Sequence, residues 1–356
     1  MKNAKKWICN GLICVALFAA TLGYLLHDQN FSDVLVRLRQ ADPGWCMVGL
    51  GLSIAFVLGE SCIIWYLMRA VGQHVRITHC FLYSFVGFFV SAITPSASGG
   101  QPAQLYFMKK DRIPLAIGIP VLTVVTILYK SVLIVADAAV LIFRPAAVMP
   151  YLASHIGWIR LGLGLNAAFV SALLLLVFRP EIARRLAYGA IHLIGVVTRR
   201  PNRTQWMARV DAGIEKYRLV SMHFAHNART ICTAFAMTLV QRTLLFAIPW
   251  CCCAAYRLRH VSIGLCITLQ AMVASAADMM PLPGGTGVNE ALFRGIFDGL
   301  LGPQLTLPIL LLSRGLSFYV QLLVGAGMTA VAALLLERHP TRRASHNSTE
   351  KDETHS

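Results

Sequence analysis

Eight ionisable side chains fall inside apolar stretches of this sequence, Glu60, Asp137, Asp278 and Glu290 against Lys130, Arg242, Arg294 and Arg314. A charge at membrane depth costs roughly 2.5–3.5 kcal/mol on insertion scales, so such groups turn to the protein interior and find partners there. Four acids against four bases predict internal pairing. Lys130 and Asp137 stand seven apart, on one face of a helix, and structural pairing serves equally well for Glu60, Asp137 and Arg242. Arg314 and Lys130 invite a different chemistry. Arg314 lies eleven residues past Pro303 and is followed by Ser317, Tyr319 and Gln321; a guanidinium fork in that setting can hold a phosphate through two parallel hydrogen bonds.

Two of the apolar stretches are broken by Pro and Gly, at Thr94-Pro95-Ser96-Ala97-Ser98-Gly99-Gly100-Gln101-Pro102 and at Pro281-Leu282-Pro283-Gly284-Gly285-Thr286-Gly287-Val288-Asn289-Glu290. Pro removes a backbone donor and clashes with the preceding turn, so neither stretch continues as one helix. In lipid, backbone freed in this way is tolerated only where it is buried in protein or lines a wet cavity. Broken segments at corresponding places in two halves of a chain mark a transporter with its site near the midplane. Each returning arm starts a half-helix just after its glycine pair. Unpaired amides and a partial positive charge at such ends favour an anion, and two opposed ends near the midplane would cradle a phosphate headgroup. Ser96, Ser98 and Asn289 would also cap the half-helices, the glycines allow tight turns, and Glu290 in a first turn suits the dipole.

The elements that must position these groups are membrane helices. Of the 356 residues, 56% are hydrophobic and only 13% charged, and the mean hydropathy is +0.62, which excludes an ordinary soluble domain. The formal charge of +16 comes from basic runs flanking apolar segments, the pattern of positive-inside sorting, and nucleic-acid binding is excluded as the reason for it. At ~20 residues per crossing, full spans are predicted over Trp7 to Leu26 and near 45–68, 113–143, 158–178, 231–253 and 303–336, with the broken segments near 79–108 and 262–300. This gives an all-α polytopic membrane protein of about six spans and two re-entrant hairpins. The run 7–26 reads as a retained helix rather than a cleaved signal.

Basic residues place both termini in the cytoplasm. Arg69 and Arg76 before the first broken segment, with Lys109, Lys110 and Arg112 after it, make it enter and return from the cytoplasmic side; the second enters and returns from the outer side. Helix, hairpin, helix over 45–143 thus recurs with reversed direction over 231–336, an inverted-topology repeat. The expected organisation is a single membrane domain over 1–336, a large cytoplasmic loop at 179–229 and a polar, disordered tail over 337–356. Within the loop, Leu186 to Val197 is apolar but too short to cross and belongs at the interface or beneath the bundle.

Nothing in the residues specifies catalysis or a cofactor. The ten cysteines form no Cys-x-x-Cys pair, Cys251-Cys252-Cys253 reads as a run of small hydrophobes, and no metal-binding histidine spacing or phosphate-binding glycine loop of the nucleotide-binding kinds occurs.

Ile93 to Lys110, Asp278 to Glu290 and the block Arg314-Gly-Leu-Ser-Phe-Tyr319 resemble the signature blocks of the flippase-like family, the membrane region of lysylphosphatidylglycerol synthase and its stand-alone relatives. The resemblance spans most of the chain and implies a bacterial or archaeal cell-membrane protein that translocates a phospholipid or lipid-linked anionic substrate. Through the family name it also implies a link to aminoacylated phosphatidylglycerol and resistance to cationic peptides. Phosphatidylglycerol lysyltransferase activity, or a role as its membrane subunit, stands as the alternative. About twenty polar residues follow the last span, where the complete lysyltransferase carries a soluble domain, so the chain resembles the flippase half. Relatives often have Glu and Arg where Gln101 and Gln104 stand here, which implies a different headgroup. The expected substrate-binding set is Thr94, Pro95, Ser98, Gly99, Gly100, Gln101, Gln104, Lys130, Pro283, Gly284, Gly285, Gly287, Glu290, Arg314 and Tyr319. Expected partners are the lipid, a separate lipid-modifying synthase and a second copy of the chain.

Overall fold

The computed structural model describes residues 36–94, 98–198, 203–280, 285 and 287–337. The expected first span at 7–26, the tail beyond 337 and the candidate site residues Pro95, Pro283 and Gly284 lie outside the described residues, as do Ser96, Pro281, Leu282 and Thr286.

The chain is an all-α polytopic membrane protein. Five helical stretches among the described residues are long and apolar enough to cross a membrane: Pro43–Ala70, Leu115–Phe143, Met149–Phe178, Ala228–Ala255 and Pro303–Ala332. Each overlaps an expected span, with ends displaced by a few residues except at Met149–Phe178, which starts nine residues before the expected 158.

Helix α1 (Pro43–Ala70) opens on an Asp42 cap, whose carboxylate accepts the Gly44 N–H at 2.7 Å, with Pro43 in the first turn where no donor is missed. The first broken segment becomes two arms, α2 (Ile77–Ala92) and α3 (Gly100–Lys110), packed on each other as a hairpin. Helix α4 (Leu115–Phe143) follows. A turn at Met149–Leu152 and a 3-10 turn at Ala153–His155 lead into α5 (Ile156–Phe178).

The expected loop at 179–229 is folded as two helices, α6 (Pro180–Thr198) and α7 (Arg203–His226), packed on each other. The apolar stretch 186–197 lies within α6. Helix α7 also rests on α4, which is why this polar-rich stretch forms regular structure.

The order then recurs. A span built of α8 (Ala228–Phe246) and α9 (Ile248–Ala255), with Pro249 at their junction, is followed by the second pair of arms, α10 (Ile263–Asp278) and α11 (Val288–Leu301). The last span is α12 (Pro303–Arg314), a π-helical turn at Gly315–Tyr319, and α13 (Val320–Glu337).

Among the described residues the two larger apolar clusters of the core lie one around each hairpin, and a third, small one gathers Phe56, Val57 and Phe85. Ile64, Leu67, Tyr83, Phe107, Met108 and Ile117 belong to the first; Leu269, Met272, Phe293, Phe297 and Leu310 belong to the second. The halves interlock because α13 packs on α2 and α8 packs on α1.

Candidate functional site

The turn of the first hairpin is held by a side chain. Thr94 Oγ1 donates to the Val90 carbonyl at 2.8 Å and accepts the Gly99 N–H at 3.0 Å, so one hydroxyl ties the end of α2 to the start of α3. Gly100 is required by contact. A Cβ there would sit 2.0 Å from Ser91 Oγ and 2.7 Å from the Gly87 carbonyl oxygen, so the arms touch backbone to backbone. At the open end of this hairpin Asp111 accepts from Tyr83 and pairs with His79 Nδ1 at 2.8 Å, fastening the start of α2 to the end of α3.

The second turn uses different devices. Gly285 and Gly287 have φ of 65° and 90°, a region L side chains disfavour. Glu290, in the first turn of α11, accepts the Gly287 N–H at 2.6 Å through Oε2 and takes Arg314 Nε at 2.6 Å through Oε1. One carboxylate therefore satisfies a half-helix N-terminus and anchors the guanidinium on the last span. The guanidinium carbon of Arg314 lies 4.8 Å from the Phe318 ring centroid, and the π-helical turn begins at the next residue. Such turns recur at functional sites.

Between the hairpins lies a cavity of about 700 Å³, inside the roughly 300–1,000 Å³ range of small-ligand sites. Ser98, Gly100 and Gln101 line it from the start of α3, and Asn289 from the start of α11. Glu60, Gln104, Tyr129, Lys130, Arg242, Gln270, Asp278, Arg314, Ser317 and Gln321 are among the other polar groups, with Phe56, Phe88, Phe169, Phe293 and Leu310 among the apolar ones.

Three charged groups of the wall, Lys130, Arg242 and Asp278, meet at Tyr129. Asp278, the last residue of α10, accepts from both Tyr129 and Lys130, and Lys130 Nζ also lies 3.1 Å from Met279 Sδ. Arg242 stacks on the other partner, its guanidinium carbon 3.6 Å from the Tyr129 ring centroid and 4.9 Å from that of Phe56. Glu60 accepts from Gln104 Nε2 at 3.0 Å. The expected pair Lys130–Asp137 does not form. Seven residues place the two groups ~10 Å apart along the helix axis, beyond ion-pair reach, whereas Asp278 of the neighbouring arm is adjacent; Asp137 accepts instead from Ser275. Arg294, half-buried on α11, makes no ion pair among the described residues.

Of the expected site residues, the structure brings Ser98, Gly100, Gln101, Gln104, Lys130 and Arg314 to one cavity. Gln101 reaches across to Thr126 and, at 3.3 Å, to the Leu122 carbonyl of α4. Thr94 and Gly99 belong to the first turn, and Gly285, Gly287 and Glu290 to the second, behind the lining. Tyr319 is half-buried in the π-helical turn, edge-on to Phe318, and does not line the cavity. The cavity also holds residues outside the expected substrate-binding set: Tyr129 and Gln270, Asn289 expected as a cap, Asp278 of the eight ionisable residues, and Glu60 and Arg242, for which structural pairing served equally well. For Asp278, Glu60 and Arg242 the signal in the sequence was the rarity of ionisable residues in apolar segments; Tyr129 and Gln270 carried no such signal.

A comparison with curated proteins found no match. The sequence matches the lysylphosphatidylglycerol synthase TM region over residues 11–325, nearly the full length of the membrane part described above, and the chain belongs to that family.

Proposed function

We propose that the protein binds a phospholipid or lipid-linked anionic substrate in this cavity and moves it across the membrane. The reading is carried by one observation, that the first residues of two half-helices from different halves of the chain line the same cavity as Lys130, Arg242 and Arg314. Helix N-termini and cations favour the same ligand, an anion. Arg stacked on an aromatic ring keeps its donors in the guanidinium plane, parallel to the ring, and available to a planar or tetrahedral oxyanion.

The acids paired with the cavity's cations, Asp278 in the wall and Glu290 behind it, fit this role as well. Lys130 is paired with Asp278 and Arg314 with Glu290. A phosphate entering the cavity competes with carboxylates already in place rather than meeting bare cations. Binding is thereby moderated, which transport requires, since a carrier must also release its substrate. In this reading the two hairpins face opposite sides of the membrane, and exchange of carboxylate for phosphate at the two cations accompanies the change of access. The family name points to phosphatidylglycerol and its aminoacylated form as the first lipids to try.

Native mass spectrometry of the purified protein with its retained lipids tests the reading. The expected result is a phosphate-bearing lipid held by the wild-type chain and diminished in folded Arg314→Lys and Lys130→Gln variants. Equal retention of the same lipids in all three would remove the cavity as the binding site.

A further inference from the structure

A second buried polar site lies outside the cavity, where α4, α5 and α10 meet. Asp137 of α4, Asn166 of α5 and Ser275 of α10 are all fully buried. Asn166 Nδ2 donates to the Gly162 carbonyl at 2.9 Å and to the Ser275 carbonyl at 3.3 Å, which uses both amide hydrogens and fixes which end of the amide is the oxygen. The Ser275 hydroxyl donates to Asp137 Oδ2. Asp137 Oδ1 and Asn166 Oδ1 are left as buried acceptors without a donor among the described residues.

Among the described residues no cation answers the carboxylate. Of the elements packed on α4, α10 offers Asp278, which is taken by Lys130 and Tyr129. Arg160 of α5 is exposed, Arg242 of α8 stacks on Tyr129, and Glu60 of α1 is bonded to Gln104. Helices α3 and α7, with Lys109, Lys110 and Lys216, meet the opposite end of α4, near Gly118 and Ala116. His155, in the turn before α5, packs against Gly295 of α11. Among the described residues Asp137 has no ion-pair partner. A bare carboxylate so placed is costly, and buried charges of this kind are accompanied by a partner or neutralised.

We propose that Asp137 is a proton-binding site, the bound proton being the donor that the cluster otherwise lacks. Its position connects it to the cavity. Ser275 and Asp278 are three residues apart on α10, and Asp137 and Lys130 seven apart on α4, so both pairs follow one helical face. The contacts Asp137–Ser275 and Lys130–Asp278 are thus successive fastenings of the same two helices. If the translocase reading above holds, a shift of α10 that frees Lys130 for a phosphate also loosens Ser275 from Asp137, and the proton is exchanged as substrate moves.

Infrared difference spectroscopy between the wild-type protein and Asp137→Asn tests the site without any transport assay. The expected result at neutral pH is a protonated-carboxyl C=O band present in the wild type and missing from the variant, unchanged by adding sodium chloride at fixed pH. Asp137→Asn should retain its fold, because the amide supplies the missing donor, while Asp137→Leu should be less stable. Absence of the band, or its loss on adding sodium ions, would overturn the proposal. In vesicles, an imposed pH gradient should change the initial rate of headgroup translocation several-fold for the wild type and leave Asp137→Asn unaffected; translocation by both with the same response would overturn the coupling. A band without translocation by any variant would instead remove the translocase reading and leave the proton site standing.

Discussion

Lys130, on the long helix of the first half, is ion-paired with Asp278, at the end of the entering arm of the second, across 148 positions of sequence. The pair sits in the cavity wall and joins the two halves there, so its removal should be felt as both lost cohesion and lost binding.

A double-mutant cycle separates these effects. Lys130→Met leaves a buried carboxylate without its cation, and breaking a buried pair in this way costs about 3–5 kcal/mol. Asp278→Leu should cost a similar amount. Lys130→Met combined with Asp278→Leu should cost much less than the sum, because neither charge is left alone. Unfolding midpoints in detergent measure the cycle; additive losses would mean the pair does not form.

The close approach of α2 and α3 makes Gly100 sensitive to a single methyl group. Gly100→Ala would force the arms apart at Ser91 and Gly87, an overpacking cost of about 1–3 kcal/mol, and should reduce lipid retention. Gly164→Ala is the control. Nothing lies within 4 Å of its Cβ position, and the helix should gain about 0.5–1 kcal/mol. Thermal unfolding of the two variants should therefore move in opposite directions.

Asp111 bonds to both His79 and Tyr83, so the two ends of the first hairpin emerge together. Cysteines placed at 76 and 110, after native cysteines are replaced by alanine, should react with an impermeant reagent from the cytoplasmic side, and one at 303 from the outer side. Labelling of 76 and 110 from opposite sides would contradict the re-entrant hairpin.

Much of this arrangement was legible in the sequence, for identifiable reasons. The Pro and Gly clusters end helices whatever surrounds them, and ionisable residues in apolar stretches stand out because lipid excludes them. Both signals are local. Partner choice was not legible: Lys130 takes Asp278 rather than Asp137 because helix packing, not sequence distance, sets which carboxylate is in reach. Thr94 is in the expected substrate set, and Glu290 both there and as a first-turn acid; the hydrogen bonds the structure gives them close the turns. A hydroxyl or carboxylate beside a helix start satisfies backbone donors whether or not a ligand is near. Arg242 went unrecognised as a cavity residue because its neighbour, Tyr129, lies on a different helix.

The central claim is that the cavity between the two half-helix starts carries an anionic headgroup across the membrane. The direct measurement is headgroup accessibility in vesicles reconstituted with the folded protein, using the phosphate-bearing lipid that it retains on purification, with phosphatidylglycerol and its lysyl ester alongside. The account predicts that the wild-type chain exposes headgroups from the inner leaflet to an outside reagent. It also predicts that Arg314→Lys loses most of this activity, since an ammonium keeps the charge but lacks the planar fork. Undiminished translocation by folded Arg314→Lys and by Gly100→Val would contradict it.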